Sequence, residues 1–441
     1  KLRVIIDFVP NHVARQYKSV TKPEGVSDLG EYDIVEHQFN PQNNFYYCHE
    51  DLHLDNVHPV TDCEPYVESP AKVSGNDVFN AWPSRNDWYE TVKLNYGVDY
   101  CGGGRNCFDP IPDTWKKMVD ILKFWCSKGV DGFRCDMVFM VPVDFWHWAI
   151  PQVKAEYPEV IFIGEIYDPG IYHSYIHYGC FDYLYDKVGL YDTLRGIVEC
   201  RESASAITRC WQSLEGIQDH MLNFLENHDE QRLASQWFAS DPIKGRPALL
   251  VSALMGTNPF MLYFGQELGE AASDAEGFSG LDGRTSIFDY WTIDSISRWT
   301  NKGRFDGKRL TEAEKSLKAY YSKVLGLINN EKAIREGSFF DVMYANYENM
   351  DMDTNKVYAF LRHKDNDLIL VTANFSGEEQ YAKVVIPKHA FDCLNLNSQT
   401  ETSATELLTS ARYRYPLLPD EPIQITIPAF GGTVLKFSTK Q

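Results

Sequence analysis

Through its first three quarters the chain alternates short apolar runs with amphipathic stretches of helical length, and this alternation constrains the fold more than any other feature. A strand buried on both faces reads as a continuous apolar run, and joining it to a parallel neighbour takes a crossover helix. The pattern therefore predicts β/α units on a parallel sheet. The runs are 4–9, 129–135, 160–164, 181–185, 221–225 and 259–264. Between them, residues 115–125 carry Trp115, Met118, Val119, Leu122 and Trp125 on one stripe at a 3.6-residue period, which predicts a helix. After a further amphipathic stretch at 312–330 the pattern becomes alternation with turn residues, at 356–362, 368–375, 381–386, 423–427 and 433–437. That tail predicts an antiparallel β domain.

At 441 residues the chain is long enough for two or three domains and a sizeable core. Its 62 acidic against 42 basic residues give a net charge of −20, which repels phosphate backbones. Nucleic acid is therefore not an expected partner, because such binding needs a clustered basic face. No run approaches the ~20 apolar residues of a membrane helix, and the sequence opens on a strand-like segment with no charged-then-apolar leader. Ten cysteines are too dilute for a disulfide scaffold, and no Cys-x-x-Cys pair occurs. Cys101 and Cys107 flank a flexible Gly-Gly-Gly-Arg-Asn loop and are the candidates for one small disulfide. Cysteine usage assigns no compartment.

Four segments set charged or hydrogen-bonding residues at the end of an apolar run: Asp7-Phe8-Val9-Pro10-Asn11-His12, Gly132-Phe133-Arg134-Cys135-Asp136, Phe162-Ile163-Gly164-Glu165 and Phe224-Leu225-Glu226-Asn227-His228-Asp229. In a barrel or doubly wound sheet the C-terminal strand ends converge on one face, so residues far apart in sequence can meet there. Arg134 and Asp136 are two apart and point to the same side of their strand. One acid at one strand end reads as a helix cap. Glu, His and Arg are poor N-caps, and their recurrence here favours a site instead. Clustered carboxylates suit glycoside hydrolysis with retention, which uses one as nucleophile and a second as acid then base, while a third can stabilise an oxocarbenium-like transition state. An arginine beside the nucleophile holds it ionised, and apolar walls or like charges raise the pKa of the acid. A two-metal hydrolase would want several His and Asp ligands at closer spacing.

In order, these four segments resemble the signature regions of the alpha-amylase superfamily, glycoside hydrolase family thirteen. Residues 258–267 are similar to that family's eighth strand and Leu94-Asn95-Tyr96 to the motif closing its inserted domain. The resemblance implies an α/β fold: a (β/α)8 TIM-type barrel with an inserted domain B and a C-terminal antiparallel β-sandwich. It implies a barrel over 1–13 and 113–333, domain B over 14–112 and the sandwich over 334–441. Because 7–12 matches the end of the family's third barrel strand, it also implies that the barrel here runs from strand three onward, with the first two β/α units outside this sequence. Asp136 matches the nucleophile, Glu165 the general acid/base and Asp229 the transition-state stabiliser. His12, Arg134 and His228 match groups that hold the sugar at the cleaved bond. The implied activity is retaining hydrolysis of α-1,4-linked glucans such as starch, glycogen and maltooligosaccharides. Transglycosylation by the same intermediate and noncatalytic glucan binding on the same fold are the alternatives.

The chemistry itself requires no cofactor. Asn11 resembles a calcium ligand of the family, although an asparagine after Pro10 equally fits a turn or cap. Where the family often carries Lys-His three and four residues after its nucleophile, this chain has Phe139 and Met140, and neither donates a charged hydrogen bond. In the insertion, Cys48, His49, His53, His58 and Cys63 lack familiar zinc spacing and read as loop residues. The aromatic residues Trp82, Trp88, Tyr89 and Tyr96 fit either the insertion's small core or a sugar-stacking groove.

Overall fold

All six apolar runs form strands in the structure, a computed structural model that describes residues 2–55, 57 and 66–438. The chain divides into two compact units, 1–185 and 186–441, and the division falls inside the segment expected as barrel.

In the first unit, β1 (Ile5–Phe8) leads into β2 (His12–Ala14), which pairs antiparallel with β3 (Thr91–Lys93) in the register His12↔Lys93. This ladder closes the base of the insertion. Within it, Tyr46, Cys48, Ala71, Val73 and Ala81 form a separate small core. A buried ion pair adds to it: Arg15 Nη1 lies 2.6 Å from Glu68 Oε1, and the guanidinium also donates to the carbonyls of Tyr89, Lys72 and Thr91. These carbonyl contacts satisfy the buried cation from several loops at once, which gives an insertion poor in regular structure a fixed shape.

Helix α1 (Asp113–Ser127) follows and buries Trp115, Met118, Val119 and Leu122 as expected. Trp125 departs from the expected stripe: it is 43% exposed, and Cys126, one full turn past Leu122, is buried in its place. Then come β4 (Gly132–Cys135), helix α2 (Val143–Glu156), β5 (Ile161–Gly164) and β6 (Tyr183–Tyr185). β1, β4, β5 and β6 pair in that order, all parallel. Gly132 leaves no room for a side chain against the neighbouring strand; a Cβ there would meet Ile161 O at 2.8 Å.

Side chains alternate across this sheet. Phe8, Phe133 and Phe162 pack on one face, with ring centroids 6.1 Å apart for Phe8–Phe133 and 5.5 Å for Phe133–Phe162, and with Trp146 of α2 against Phe8. Asp7 and Arg134 stand opposite each other on the other face. The apolar face carries the stability. Phe133→Ala, at a fully buried position, is expected to cost about 3–5 kcal/mol of unfolding free energy, read from the midpoint of denaturant unfolding.

The second unit contains β7 (Met221–Phe224) and β8 (Phe260–Met261), parallel to one another, and helix α3 (Glu312–Asn330), which begins with a reciprocal capping box between Thr311 and Glu314. Its C-terminal part is antiparallel. A six-stranded sheet runs in the order 338–341, 357–364, 367–374, 431–438, 399–406, 412–417, beside a two-stranded ladder of 380–385 with 422–427. Three of these strands escaped the sequence pattern. Gln399–Glu406 and Arg412–Leu417 are mostly polar, and Ser338–Asp341 is short.

Cys101 and Cys107, the candidates for a small disulfide, are free thiols, and Cys107 Sγ faces Arg105 O at 3.9 Å. Of the insertion's Cys/His set, Cys48 belongs to the small core and His53 stacks on Trp82 at 3.6 Å, while His58 and Cys63 lie outside the described residues. No helix among the described residues is long and apolar enough to cross a membrane.

Candidate active site

The parallel register sets Asp7 beside Arg134, with Asp136 and Glu165 just past the ends of their strands. Asp136 N–H donates to Phe8 O and Glu165 N–H to Cys135 O, so backbone bonds fix both acids where the ladder ends. Arg134 then gathers three carboxylates. Its Nη1 lies 3.0 Å from Asp7 Oδ1 and 2.7 Å from Asp136 Oδ1, and its Nη2 lies 2.9 Å from Glu165 Oε2, an ion pair out of line for a hydrogen bond. Nε donates to Tyr185 Oη at 3.2 Å, and the guanidinium lies 5.6 Å from that ring's centre.

The charges follow from this crowding. Burial works against the Arg134 charge, but Tyr185, Glu165, Asp7 and Asp136 more than offset it, and its pKa is raised. Burial pushes Glu165 up to about 7; Arg134 opposes the shift and the Asp136 carboxylate adds to it. Glu165 is nevertheless well held: Tyr167 Oη donates to Oε1 at 2.5 Å and the Met137 N–H to Oε2 at 2.9 Å. Met137 follows Asp136 in a left-handed conformation, φ 45°, which sparse region a non-glycine residue occupies only at a cost. That turn is what aims its N–H at Glu165.

His12 packs against Trp88 with ring centroids 5.2 Å apart. Burial lowers its pKa, Asp136 opposes this and Lys93 reinforces it, so the ring is neutral at pH 7. A neutral imidazole there both donates and accepts hydrogen bonds.

In the second unit, Asp229 and His228 stand beyond the end of β7 with His228 Nε2 3.2 Å from Asp229 Oδ2. Asp229 N–H donates to Asn227 Oδ1 at 2.9 Å, and its carbonyl accepts from Arg284 Nε at 2.7 Å. Glu226 of the same signature serves the fold: it is buried against Arg232 at 2.9 Å and accepts from Leu233 N–H. Residues 278–290 bring an aromatic patch to this strand end. Phe288, 74% exposed, meets the His228 ring edge-on at 6.2 Å and Phe278 at 5.7 Å.

The structure thus brings Arg134, Asp136 and Glu165 into one cluster with His12 nearby, and sets Asp229 beside His228. Sequence reasoning missed Asp7, Tyr167, Tyr185, Met137 N–H, Arg284 and Phe288. Asp7, opening the first charged segment, Tyr167, two residues after Glu165, and Tyr185, closing an apolar run, carried a positional signal without a role; the others carried none. Asn11 is buried. Its Nδ2 donates to Gly75 O at 2.7 Å and its Oδ1 accepts from Lys93 Nζ at 2.8 Å.

The family model described as "Alpha amylase, catalytic domain" matches residues 1–316. Alpha-amylase MalA of Haloarcula japonica is 25% identical over 318 residues, covering 71% of this chain and 41% of that protein. An alpha-1,4-glucan:maltose-1-phosphate maltosyltransferase of Cereibacter sphaeroides is 39% identical over 57 residues, 13% of this chain and 10% of that protein. The chain spans less than half the length of these curated relatives. Among solved structures, alpha-amylase from Geobacillus thermoleovorans, complexed with acarbose, superposes with a TM-score of 0.62 at 18% identity, covering all of this chain and 78% of that one. That likeness establishes the fold class, a TIM-type barrel with a C-terminal β domain. With the carboxylate-bearing strand ends in place and a catalytic-domain model matching most of its length, the chain belongs to the alpha-amylase family.

Proposed function

We propose that this protein is a retaining glycosidase acting on α-1,4-linked glucans through a covalent glycosyl-enzyme intermediate. The observation that carries this reading is the Arg134 cluster: one guanidinium paired with both Asp136 and Glu165, with burial pushing the pKa of Glu165 up to about 7. Two neighbouring carboxyls with environments that separate their protonation states are what the double displacement needs. Asp136, paired with Arg134, attacks the anomeric carbon. Glu165, protonated, gives its proton to the departing glycosidic oxygen, and then as carboxylate takes a proton from the water that frees the sugar. Asp229 is assigned to stabilise the positive charge at the sugar ring, with His12 and His228 binding hydroxyls. The test is proton NMR of maltooligosaccharide cleavage. Retention releases the α anomer first; β anomer first would overturn the mechanism, and no cleavage by active-site-intact protein would overturn the activity.

One observation favours a second reading, transfer to another sugar. Phe139 and Tyr167 pair with centroids 6.3 Å apart, an apolar wall beside Glu165 where a sugar face can pack and water is less welcome. Maltoheptaose separates the two: hydrolysis yields only chains shorter than the substrate, and transfer yields longer ones as well. Among binding contacts, Phe288→Ala is expected to raise KM for maltooligosaccharides several-fold with a smaller change in kcat, the loss of about 1 kcal/mol of ring–sugar packing.

A further inference from the structure

The end of β1 and the base of the insertion are joined by a buried cation that belongs to the chain itself. Lys93, the last residue of β3, has a side chain only 2% exposed. Its Nζ lies 2.8 Å from Asn11 Oδ1 and 2.5 Å from Asp77 Oδ1, and 5.6 Å from the centre of the Tyr100 ring. Asp77 reaches it from a left-handed turn, φ 66°. Asn11 is fixed from its other end by Gly75 O. An amide oxygen, a carboxylate and an aromatic face around one ammonium form a complete set of partners for a single positive charge.

This arrangement does not fit a calcium ion at Asn11. Calcium binds six to eight oxygens at about 2.3–2.6 Å, and an ion on Asn11 Oδ1 would sit within a few ångströms of the Lys93 ammonium in a buried setting. Among the described residues no group of three or more His, Cys, Asp or Glu side chains is placed to hold a metal. We propose that Lys93 does the work of a structural cation here, neutralising Asp77 and tying Asn11 to the insertion, so that this region folds and stays folded without calcium. A lysine suits the task because its compact ammonium on a long apolar stem reaches an interior site from a strand end.

The test uses thermal unfolding of the full chain after dialysis against EDTA, with and without added calcium. The proposal expects the wild-type Tm to be the same in both buffers to within about 1 °C, since a ligand that does not bind the native state adds nothing to its stability. Lys93→Met, which keeps the stem and removes the charge, is expected to lower Tm by roughly 5 °C or more in both buffers. Should that variant fail to accumulate, Asp77→Asn supplies the measurement, with an expected drop of a few degrees that calcium does not restore. A wild-type Tm that falls on chelation and recovers with calcium would overturn the proposal, as would Lys93→Met or Asp77→Asn unfolding at the wild-type temperature. None of these readouts depends on glucan cleavage.

Discussion

Replacing Asp136 with Asn lowers kcat on maltooligosaccharides by roughly 10⁴-fold or more, the scale on which removing a nucleophile acts. An amide of the same shape keeps an oxygen for Arg134 Nη1, so the fold and the strand end are retained, but it cannot form the glycosyl ester. The check is paired: steady-state kinetics for the loss, and a denaturation midpoint near the wild-type value to show the loss is chemical. A second consequence follows from the electrostatics. The Asp136 carboxylate helps hold Glu165 in its protonated form, so any residual activity of the variant should lose its proton at lower pH than the wild type does.

Glu165→Gln is expected to cost about 10²–10⁴-fold in kcat on natural glucans, the range for a positioned general acid. The loss depends on the leaving group. An aryl glycoside that departs without protonation should be consumed in its first step almost as fast by the variant as by the wild type, and a sugar oligomer should not. The pH dependence fixes the sign. Burial favours the neutral carboxyl and raises its pKa to about 7, so the acid is protonated below that pH and ionised above it. Wild-type kcat/KM on oligosaccharides should therefore fall as pH rises through about 7, and the variant should lack that limb.

How far the sequence announces this site varies from residue to residue. Arg134 and Asp136 were legible as a pair because a strand's two-residue period puts them on one side, and their contact at 2.7 Å is the direct result. Glu165 was legible as the polar end of an apolar run. Asp7 was not assigned a role, because its partnership with Arg134 depends on the register of two strands more than a hundred residues apart in the chain. Tyr185 and Tyr167 stood at or just past the ends of apolar runs, but only the folded strand ends show their hydroxyls turned to Arg134 and Glu165. Lys93 is the sharpest case. A lysine in a short polar strand reads as a solvent-facing residue, and its burial arises from β2–β3 pairing and from Asp77 closing over it.

The same division holds for the fold. Short, mostly apolar runs announced the parallel strands, even though Asp7, Arg134 and Asn223 interrupt three of them. The long helix Glu312–Asn330 was legible from its stripe. The edge strand Arg412–Leu417 was not, because a strand with one partner and one open side needs few apolar residues, and it tolerates Pro416 for the same reason. Trp125 stands off the core because at about 100° per residue it lies past the edge of the Trp115–Leu122 stripe, and the buried position one turn after Leu122 belongs to Cys126.

The account rests on Asp136 forming a covalent bond to the sugar. Incubation with a fluorinated glucosyl fluoride, which forms the ester quickly and releases it slowly, followed by peptide mass spectrometry, tests this directly. The account predicts a single glycosyl adduct on the peptide containing Asp136, absent in Asp136→Asn. Substrate turnover with no adduct, or with the adduct on a different carboxylate, would contradict it.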